Sequence, residues 1–410
     1  LIPVMPSTLP RFNPFVPDFQ DRKYELFETY RREDPVHRGV SVFGVPNTWY
    51  LFRYDDVAAA LRDRRLTRMR ILNPETMEMN TWRMNVPLEE LFSSWPLVLD
   101  PPEHTRLRGA MNRAFRREDI QGLAPSIEKI ADHLLDEAEE RGRIDLINDY
   151  AFPLTCRAIA ELLGVDPDDH LLFRSWAIDI AAGLDLALTP EQFHRANRSV
   201  LEFRDYVRGF IEQRRAAPRE DVISRLIADN GENPLEEHEL VSLCILFIVA
   251  GFDTTTNFLG NAVRALLDRP ALWSALSEQP ELMNQNAVEE LLRFETSVQI
   301  TVRYASENMM IGGRPIVAGS AIAIMLGSAN RDGSKFPDPD SLRLDREMER
   351  IMSFSAGIHV CAGAMLARMQ GQIGLQKLIE RFPALSLDGA EKRWRSNIIF
   401  AGYERLPLVF

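Results

Sequence analysis

The chain has 410 residues, of which 45% are hydrophobic and 26% are charged, and its formal net charge is −12. This composition is typical of a globular protein with a large apolar core, and the negative charge argues against nucleic acid as a partner. The three cysteines, Cys156, Cys244 and Cys361, are few and far apart, which favours a reducing compartment over a disulfide framework, so we expect a cytoplasmic protein. The longest apolar run, 243–252, is too short to cross a bilayer and the first residues lack the basic start of a signal peptide, so we expect no membrane anchor.

The sequence pattern is helical over most of the chain. Two short segments alternate like strands: 48–54, and 310–319, which is typical of a hairpin with its turn at Gly312 and Gly313. Long helical patterns cover five segments: 121–141, 151–163, 190–215, 235–267 and 281–294. No linker, repeat or low-complexity tract divides the chain, so we expect residues 1–410 to form a single domain.

A cationic helix is predicted after Pro101 and Pro102, since proline suits the first helical turn. At about 100° per residue, His104 and Arg108 share one face among apolar residues, and an imidazole and a guanidinium in such surroundings need an anionic partner. Three further arginines cluster on nearly the opposite face: Arg106, Arg113 and Arg117. This second cluster is either an ordinary solvated face or a docking site for an acidic partner.

The most apolar helical pattern, 235–267, is interrupted by a polar run from Asp253 to Asn257. Threonine is a mediocre helix former, and a buried carboxylate costs free energy unless it is paired. One interpretation is a helix bend in which the hydroxyls bond to the preceding turn. The other is functional, because Ala250 and Thr254 recur on one face, where the small side chain leaves room for a ligand and the hydroxyl follows one turn later. Asp253 would then relay protons from solvent.

The cysteine motif Phe354-Ser-Ala-Gly357-Ile-His359-Val-Cys361-Ala-Gly363 is the most informative part of the sequence. Its cysteine comes just before a helical run with a small-residue face, where free N–H groups and the helix dipole favour a thiolate over a thiol. Gly357 permits a backbone conformation closed to other residues, and Gly363 lets a large flat group approach the first helical turn. A free cysteine is more often a small core hydrophobe, and from the cysteine alone that alternative stays open.

The full spacing F-x-x-G-x-H-x-C-x-G-x-x-L-A-R resembles the haem-binding loop of cytochromes P450. The polar run at Thr254 and a Glu-x-x-Arg pattern precede it in the family's order, so the resemblance extends over essentially the whole chain. One departure is Ser355, where the family usually has glycine. The resemblance implies a mainly α fold with minor β-sheets, the cytochrome P450 fold, in which haem lies between the Thr-bearing long helix and the Cys-loop helix.

By the same resemblance, Cys361 is the axial thiolate ligand of haem b, iron protoporphyrin IX. Asp253 and Thr254 correspond to the family's acid–alcohol pair, which delivers protons for dioxygen activation. The remaining residues assigned to the cofactor are His104, Arg108, Arg303 and His359 as propionate ligands, with Phe354 and Gly363 as further cofactor-binding residues.

The Glu-x-x-Arg pattern consists of Glu290 and Arg293, which can pair on one helix face. Such pairs are common on solvated helices, so this one carries little weight by itself. The pair lies between the polar run and the cysteine motif. In the P450 family a Glu-x-x-Arg pair stands at the same place in the chain order and has a structural role beside the cysteine loop. The family often adds a third, arginine partner, and the candidates for it remain open: Ser341 stands at its position, with Arg343 and Arg346 nearby.

The resemblance also implies a substrate pocket with largely apolar walls. The residues assigned to it are Trp82, Leu246, Val249, Phe252, Val298, Ile300 and Ile399. Such walls favour a hydrophobic small molecule, for example a terpenoid, a steroid, a fatty acid or a polyketide.

We therefore expect a monooxygenase that inserts one atom of O2 into such a molecule by hydroxylation or epoxidation. No reductase domain is fused to the chain, so a ferredoxin and a ferredoxin reductase would supply electrons, docking at Arg106, Arg113 and Arg117. Two alternatives are a haem-thiolate sensor or binding protein without turnover, and a peroxide-driven peroxygenase. The acid–alcohol pair favours the monooxygenase, because neither alternative requires it.

Overall fold

The computed structural model describes residues 9–68, 86–165, 170–186, 188–229, 231, 233–389, 393–395 and 397–410. Trp82, one of the predicted pocket residues, lies outside the described residues. The α-helices are α1 (Phe19–Glu33), α2 (Tyr54–Ala60), α3 (Pro87–Phe92), α4 (Glu103–Ala114), α5 (Arg117–Gly122), α6 (Ala124–Arg141), α7 (Phe152–Leu163), α8 (His170–Ala182), α9 (Pro190–Ala216), α10 (Val222–Ile227), α11 (Glu237–Leu267), α12 (Pro270–Glu278), α13 (Gln285–Phe294), α14 (Leu326–Ala329) and α15 (Ala364–Arg381). The β-strands are β1 (Val36–Arg38), β2 (Thr48–Leu51), β3 (Leu66–Thr67), β4 (Arg143–Asp145), β5 (Ile300–Ala305), β6 (Met309–Ile311), β7 (Arg314–Ile316), β8 (Ala321–Met325), β9 (Ser386–Leu387) and β10 (Pro407–Val409).

All five predicted long helices are present, as α6, α7, α9, α11 and α13. The largest difference is at the start of α13, which was predicted at 281 and begins at Gln285. The side chain of Asn284 accepts hydrogen bonds from the N–H groups of Asn286 and Ala287 and so caps the helix at that point. Residues Pro280–Leu282 form a separate 3-10 turn.

The described strands form three small sheets. The first has the order β1-β2-β8-β5-β3, in which β2 and β8 are parallel and the other pairs antiparallel. The second has the order β4-β10-β9, and the third is the predicted hairpin β6-β7. Its turn residues Gly312 and Gly313 have φ of 52° and 78°, which glycine adopts without a Cβ penalty. The strand predicted at 48–54 is confirmed as β2, although it ends at Leu51 because α2 begins at Tyr54.

The sequence patterns did not identify β5 and β8, the inner pair of the first sheet. Every residue of both strands is buried, so neither shows the alternation of apolar and polar residues that marks a half-exposed strand. One face of β5 packs on an aromatic cluster that includes Phe12, Phe27 and Tyr50. Its other face is directed toward the helical core.

Helix α11 runs through the helical core and is buried on nearly all sides. It begins with a capping box in which Glu236 and Glu239 exchange side-chain and backbone hydrogen bonds. Among the described residues it is the one helix long and apolar enough to cross a membrane, and 83% of its most apolar window is buried inside the protein. That degree of burial is typical of a core helix.

Two glycines allow α15 to cross α11 and α7 at close range. A Cβ on Gly371 would lie 2.4 Å from the ring of Phe258, and one on Gly374 would lie 2.8 Å from Leu154. Because glycine has no side chain, Phe258 and Leu154 pack directly on the backbone of α15, and the helix that follows the cysteine loop is held at close range.

A buried ionic cluster joins α13 to the segment that precedes the cysteine loop. Glu290 and Arg293 have no exposed side-chain surface, and the guanidinium donates to both carboxylate oxygens at 2.7 and 2.9 Å. The third partner is Arg346, whose Nε lies 3.1 Å from each of these oxygens. Of the other two candidates, Arg343 donates its backbone N–H to Glu290, and Ser341 contributes its carbonyl, which accepts from Arg346 at 2.8 Å and from Arg293 at 3.5 Å.

Asn330 connects this cluster to the residues just before the cysteine motif. Its carbonyl accepts a hydrogen bond from Arg293 at 2.9 Å, and its amide side chain contacts the Met352 N–H and the Ser353 hydroxyl at 2.6 and 2.8 Å. Breaking a buried ion pair typically costs about 3–5 kcal/mol, so the loop begins from a rigid base.

Candidate functional site

The cysteine loop runs from Phe354 through the 3-10 turn Gly357–His359 to Cys361, and Gly363 is the N-cap of α15. The backbone N–H of Cys361 donates to the carbonyl of Phe354 at 3.0 Å and closes the loop. Gly357 has a φ of 71°, and a Cβ there would lie 2.4 Å from the carbonyl oxygen of Leu61. The predicted requirement for glycine at this position is confirmed, both by the backbone conformation and by the close approach of Leu61.

Two observations together indicate that Cys361 faces an internal cleft. The residue has accessible surface, yet the protein around it is dense enough that burial raises the pKa of the thiol. An accessible group in dense surroundings faces a cleft and not bulk solvent. A hydrogen bond from the Gly363 N–H and the charges of Arg108 and Arg368 act in the opposite direction, but burial outweighs them. The helix terminus alone therefore does not make Cys361 a thiolate, whereas coordination to a metal ion deprotonates a thiol outright.

Ser355, the departure from the family motif, is strained. Its φ of 61° lies in the left-handed region, where a side chain costs roughly 1–2 kcal/mol. Its hydroxyl is buried and has no hydrogen-bond partner among the described residues. Glycine would remove both penalties.

Two histidines face each other where α4 meets the cysteine loop. His104 is 3% exposed, and its ring centroid lies 4.6 Å from that of His359. Within the described part of the chain, three ring nitrogens lack a partner with good hydrogen-bond geometry: both of His104 and the Nδ1 of His359. The Ile358 carbonyl lies close to the His104 ring, and the Pro96 carbonyl lies close to the His359 ring. Burial lowers the pKa of both, and for His359 burial and the charges of Arg68 and Arg303 lower it to about 2. A neutral imidazole carries one N–H, so an unpartnered ring nitrogen donates to a ligand in the tautomer that places the proton on it.

Strand β5 brings a third predicted cation to the same place. Arg303 is 1% exposed, and one end of its guanidinium donates to the Thr301 hydroxyl at 3.2 Å and to the Val302 carbonyl at 3.0 Å. The other terminal nitrogen has no partner among the residues described. Burial lowers the pKa of Arg303 far below its ordinary value, and the adjacent charge of Arg68 lowers it further. A guanidinium in this position is costly unless an anion binds to it. Arg68 was not identified from the sequence.

Arg108 lies on the thiol side of this group. It donates to the Val360 carbonyl at 2.8 Å, and its charge acts directly on Cys361. Phe354 packs beneath Arg368, whose guanidinium carbon lies 4.3 Å from the ring centroid. Arg108 and Phe354 thus support the loop that presents the cysteine.

These residues fit the cofactor that the resemblance implies. The cleft presents a thiol, neutral imidazole donors, and guanidinium nitrogens without protein partners. A Cβ on Gly363 would meet no atom within 4 Å, so the first turn of α15 has room for a flat group. Haem has the three matching features: a flat ring, an iron that accepts a thiolate ligand, and two carboxylates.

The middle of α11 opens onto the cleft at Ala250 and Thr254, which keep accessible surface although the helix around them is buried. The Thr254 hydroxyl donates to the Ala250 carbonyl at 3.3 Å, the back-bonded geometry of the structural interpretation. A Cβ on the next residue, Gly251, would lie 2.5 Å from Ile159 on α7. Gly251 therefore serves helix packing.

Asp253 is held by a residue that sequence reasoning missed. The carboxylate is 6% exposed and forms an ion pair with Arg395. Arg395 also donates to the side chain of Asn257 at 3.3 Å, and the charge of Asp253 raises its pKa. An acid in an apolar helix signals that a cation is needed, but Arg395 lies 142 residues further along the chain, in a stretch without a motif.

The predicted pocket segments around Val298 and Ile399 are neighbours in the fold. Val298 forms a β-bridge with Phe400, and the Gln299 N–H donates to the Ile399 carbonyl at 2.8 Å. Leu246 lies one turn before Ala250 on α11 and is buried there, as is Val249.

Two of the predicted pocket residues lie on faces directed away from the cleft. Phe252 is 1% exposed and contacts Phe152 edge-on at 5.4 Å, because it lies about 200° around the helix from Thr254. Ile300 packs into the aromatic cluster behind β5, since residues alternate along a strand and Thr301 takes the opposite face.

The predicted docking face on α4 is also wrong in its geometry. The helix ends at Ala114, so Arg117 belongs to the next helix and does not share a face with the other two arginines. Arg106 is paired with Glu239 and Glu103, and Arg113 with Asp229 at 2.7 Å. Charges in ion pairs present little net potential to a partner, so the face is a set of inter-element contacts.

Comparisons with known proteins identify relatives over the full length of the chain. The family model for cytochrome P450 matches residues 169–397. The polyketide biosynthesis cytochrome P450 PksS of Bacillus subtilis (strain 168) is 37% identical over 97% of this chain and 98% of its own. Two solved structures are also similar: P450BioI in complex with an acyl carrier protein ligated to hexadec-9Z-enoic acid (TM-score 0.88, 33% identity, 96% of this chain and 99% of that one), and CalO2 (TM-score 0.90, 31% identity, 98% and 99%).

The strain at Ser355 leads to a stability prediction. We expect Ser355→Gly to raise the free energy of unfolding by about 1 kcal/mol, since glycine adopts this φ freely and no unpaired hydroxyl remains. Ser355→Ala is the matched control, because it removes the hydroxyl but keeps the Cβ. Guanidinium unfolding followed by circular dichroism should rank the glycine variant above the alanine variant. The reverse order would mean that the backbone at this position is not strained.

Proposed function

Since the chain belongs to the cytochrome P450 family of haem monooxygenases, we propose that it inserts one atom of O2 into a hydrophobic small molecule by hydroxylation or epoxidation. The observation that carries this proposal is the composition of one cleft. The Cys361 thiol at the start of α15 and a group of buried, unpartnered donors from three other elements lie around it. A sensor would need the same cofactor, but it would not need the acid and hydroxyl on α11.

Different residues around the cleft would bind different parts of haem b. Cys361 would bind the iron through its sulfur, and the Gly363 N–H would donate a hydrogen bond to that sulfur. His104, Arg108, Arg303 and His359 would bind the two propionates. Bound haem supplies the redox chemistry that activates O2. The rigid loop keeps the sulfur in place, because Gly357 contacts the Leu61 backbone.

Thr254 and Asp253 would supply the protons that dioxygen reduction consumes. The Thr254 hydroxyl is at the cleft surface and would pass its proton there after rotating away from the Ala250 carbonyl. Asp253 lies on the adjacent side of α11, where its carboxylate would take up a proton from solvent and pass it to the hydroxyl. Arg395 holds the carboxylate in position through the ion pair. Arg395 is therefore a positioning residue in this scheme.

We propose an acyl chain or a polyketide as the substrate class. PksS is named for polyketide biosynthesis, and the P450BioI structure holds an acyl chain on a carrier protein. The apolar residues Leu246, Val249 and Val298 are compatible with such a chain, since a hydrocarbon binds by burial of apolar surface. We place the protein in the cytoplasm, where its three free cysteines would remain reduced.

Electrons would come from a ferredoxin and its reductase, and we propose a docking site beside the cysteine loop. Ile358 is 45% exposed, three residues before Cys361. Arg62 borders it, since the Cα of Arg62 lies 3.4 Å from a Cβ built on Gly357. Arg350 is exposed, and both arginines act on the pKa of the same neighbour, Tyr54, together with Lys335 and the opposing charge of Glu349. In the described ranges neither arginine forms an ion pair. We call Arg62, Arg350 and Ile358 the loop-side patch.

The loop-side patch should speed association with an acidic ferredoxin. We expect the double variant Arg62→Glu, Arg350→Glu to be reduced at least ~10-fold more slowly by ferredoxin at low salt, because steering of this kind changes association rates by ~10–10³-fold. Stopped-flow reduction over a range of ionic strength is the measurement, and reduction by dithionite should not change. Arg117→Glu, at an exposed site on α5, is the control and should behave as wild type. Equal rates for the double variant and wild type at low salt would rule out this patch.

If Thr254 and Asp253 relay protons, replacing them should weaken the coupling of electron consumption to substrate oxidation. With hexadec-9Z-enoic acid as the probe substrate, Thr254→Ala should bind haem and substrate but convert more of the electrons consumed into hydrogen peroxide. Asp253→Asn should slow turnover with haem content intact, since loss of a positioned proton donor typically costs ~10²–10⁴-fold in the step it serves. Thr255→Ala, one position along the helix, is the control and should stay coupled. Unchanged coupling and rate in both variants would contradict the relay and favour haem binding without proton delivery by these groups.

A further inference from the structure

Arg68 stands next to Arg303 because of strand pairing. β3 pairs antiparallel with β5, with Leu66 opposite Ala305 and Thr67 opposite Tyr304, so the next residue on one strand comes beside Arg303 on the other. Both guanidiniums donate to the same acceptor, the Val302 carbonyl, at 3.2 Å from Arg68 and 3.0 Å from Arg303. Two positive charges therefore lie within one hydrogen-bond length of a single oxygen.

This arrangement is unfavourable for the protein alone. Burial lowers the pKa of Arg68 to about 10, and the proximity of Arg68 contributes to the lowered pKa of Arg303. Asp100 is the nearest acid, but its two oxygens accept the Arg68 backbone N–H at 2.9 Å each. Among the described residues no carboxylate is within ion-pair distance of either guanidinium, and the Arg68 Nε has no partner. Arg68 as a residue keeps some accessible surface, which with its lowered pKa indicates that the guanidinium faces the cleft.

Arg68 and Arg303 therefore bring two guanidiniums, which keep their charge at pH 7, to one side of the cleft. Arg108 carries a further guanidinium, and one of its nitrogens donates to the Val360 carbonyl. His104 and His359 add ring nitrogens that have no hydrogen-bond partner among the described residues.

We propose that Arg68 is a further cation of the propionate site, so that the carboxylates of haem accept hydrogen bonds from Arg68 as well as from Arg303. The inference rests on the proposed function, since it takes haem as the ligand. Its ligand chemistry is that of a dicarboxylate: two anionic groups, each able to accept charge-assisted hydrogen bonds from a guanidinium.

The test is the strength and charge dependence of haem binding in the haem-loaded protein. Arg68→Gln should release haem to excess apomyoglobin ~10-fold faster than wild type, because one propionate loses its counter-ion. Its midpoint potential should shift in the negative direction, since removing a positive charge favours the ferric over the ferrous state. A tenfold change in that one-electron equilibrium corresponds to about 59 mV.

Two further variants separate this role from a merely structural one. Arg68→Lys keeps the charge and should hold the potential near that of wild type. Arg65→Gln is the matched control, because Arg65 lies three residues earlier, is half exposed and pairs with Asp63. Both Arg68 variants could instead unfold more easily while releasing haem at the wild-type rate and keeping the wild-type midpoint potential. In that case Arg68 only stabilises the strand pair, and the proposal is overturned. Wild-type protein that bound no haem would overturn the proposed function, whereas a haem-loaded wild type with an unaffected Arg68→Gln would overturn this inference alone.

Discussion

The rest of the structure depends on one electrostatic constraint: positive charge is gathered in a cleft that is shielded from bulk water. Arg68 and Arg303 approach one carbonyl oxygen from two paired strands, and burial lowers the pKa of each. Buried guanidiniums are stable only beside an anion. Four elements bring the basic groups together: β3 and β5 through their pairing, α4 through His104, and the cysteine loop through His359. Because a thiol borders the same cleft, haem is a cofactor whose carboxylates and metal satisfy both requirements.

Local patterns in the sequence predicted a large part of this arrangement. The five long helices were predicted because an apolar face that repeats with the helical period over many residues indicates a helix. The hairpin was predicted because two glycines mark its turn. The cysteine motif identified the requirement for glycine at Gly357, where the backbone has a positive φ and contacts Leu61. The third partner of the Glu290–Arg293 pair stayed open, because three candidates stood within a few residues of one position and only the fold brings Arg346 to Glu290.

Contacts between distant segments could not be predicted in this way. Arg68 and Arg395 were missed because their partners lie 234 and 142 residues away, and neither stands in a motif. The pair β5 and β8 was missed because both faces are buried, so the hydrophobic period of a strand is absent. A run of charged residues continues from α4 into α5, so no sequence signal marks the end of α4 at Ala114. Arg117 was therefore placed on the same helix as Arg106 and Arg113, and the docking face predicted from that placement does not exist. In each case the deciding contact is tertiary.

The central claim is that the Cys361 sulfur is the iron ligand, and the absorption spectrum of the reduced carbon monoxide complex tests it most directly. Thiolate ligation predicts a red-shifted Soret band in the wild type, its loss in Cys361→Ala, and at least loss of the thiolate signature in Cys361→Ser. The other two thiols are the controls, because burial raises the pKa of Cys156 and Cys244 to about 12 and makes them inert, so replacing either by alanine should leave the spectrum unchanged. A protein without Cys361 that kept the red-shifted band would contradict the account.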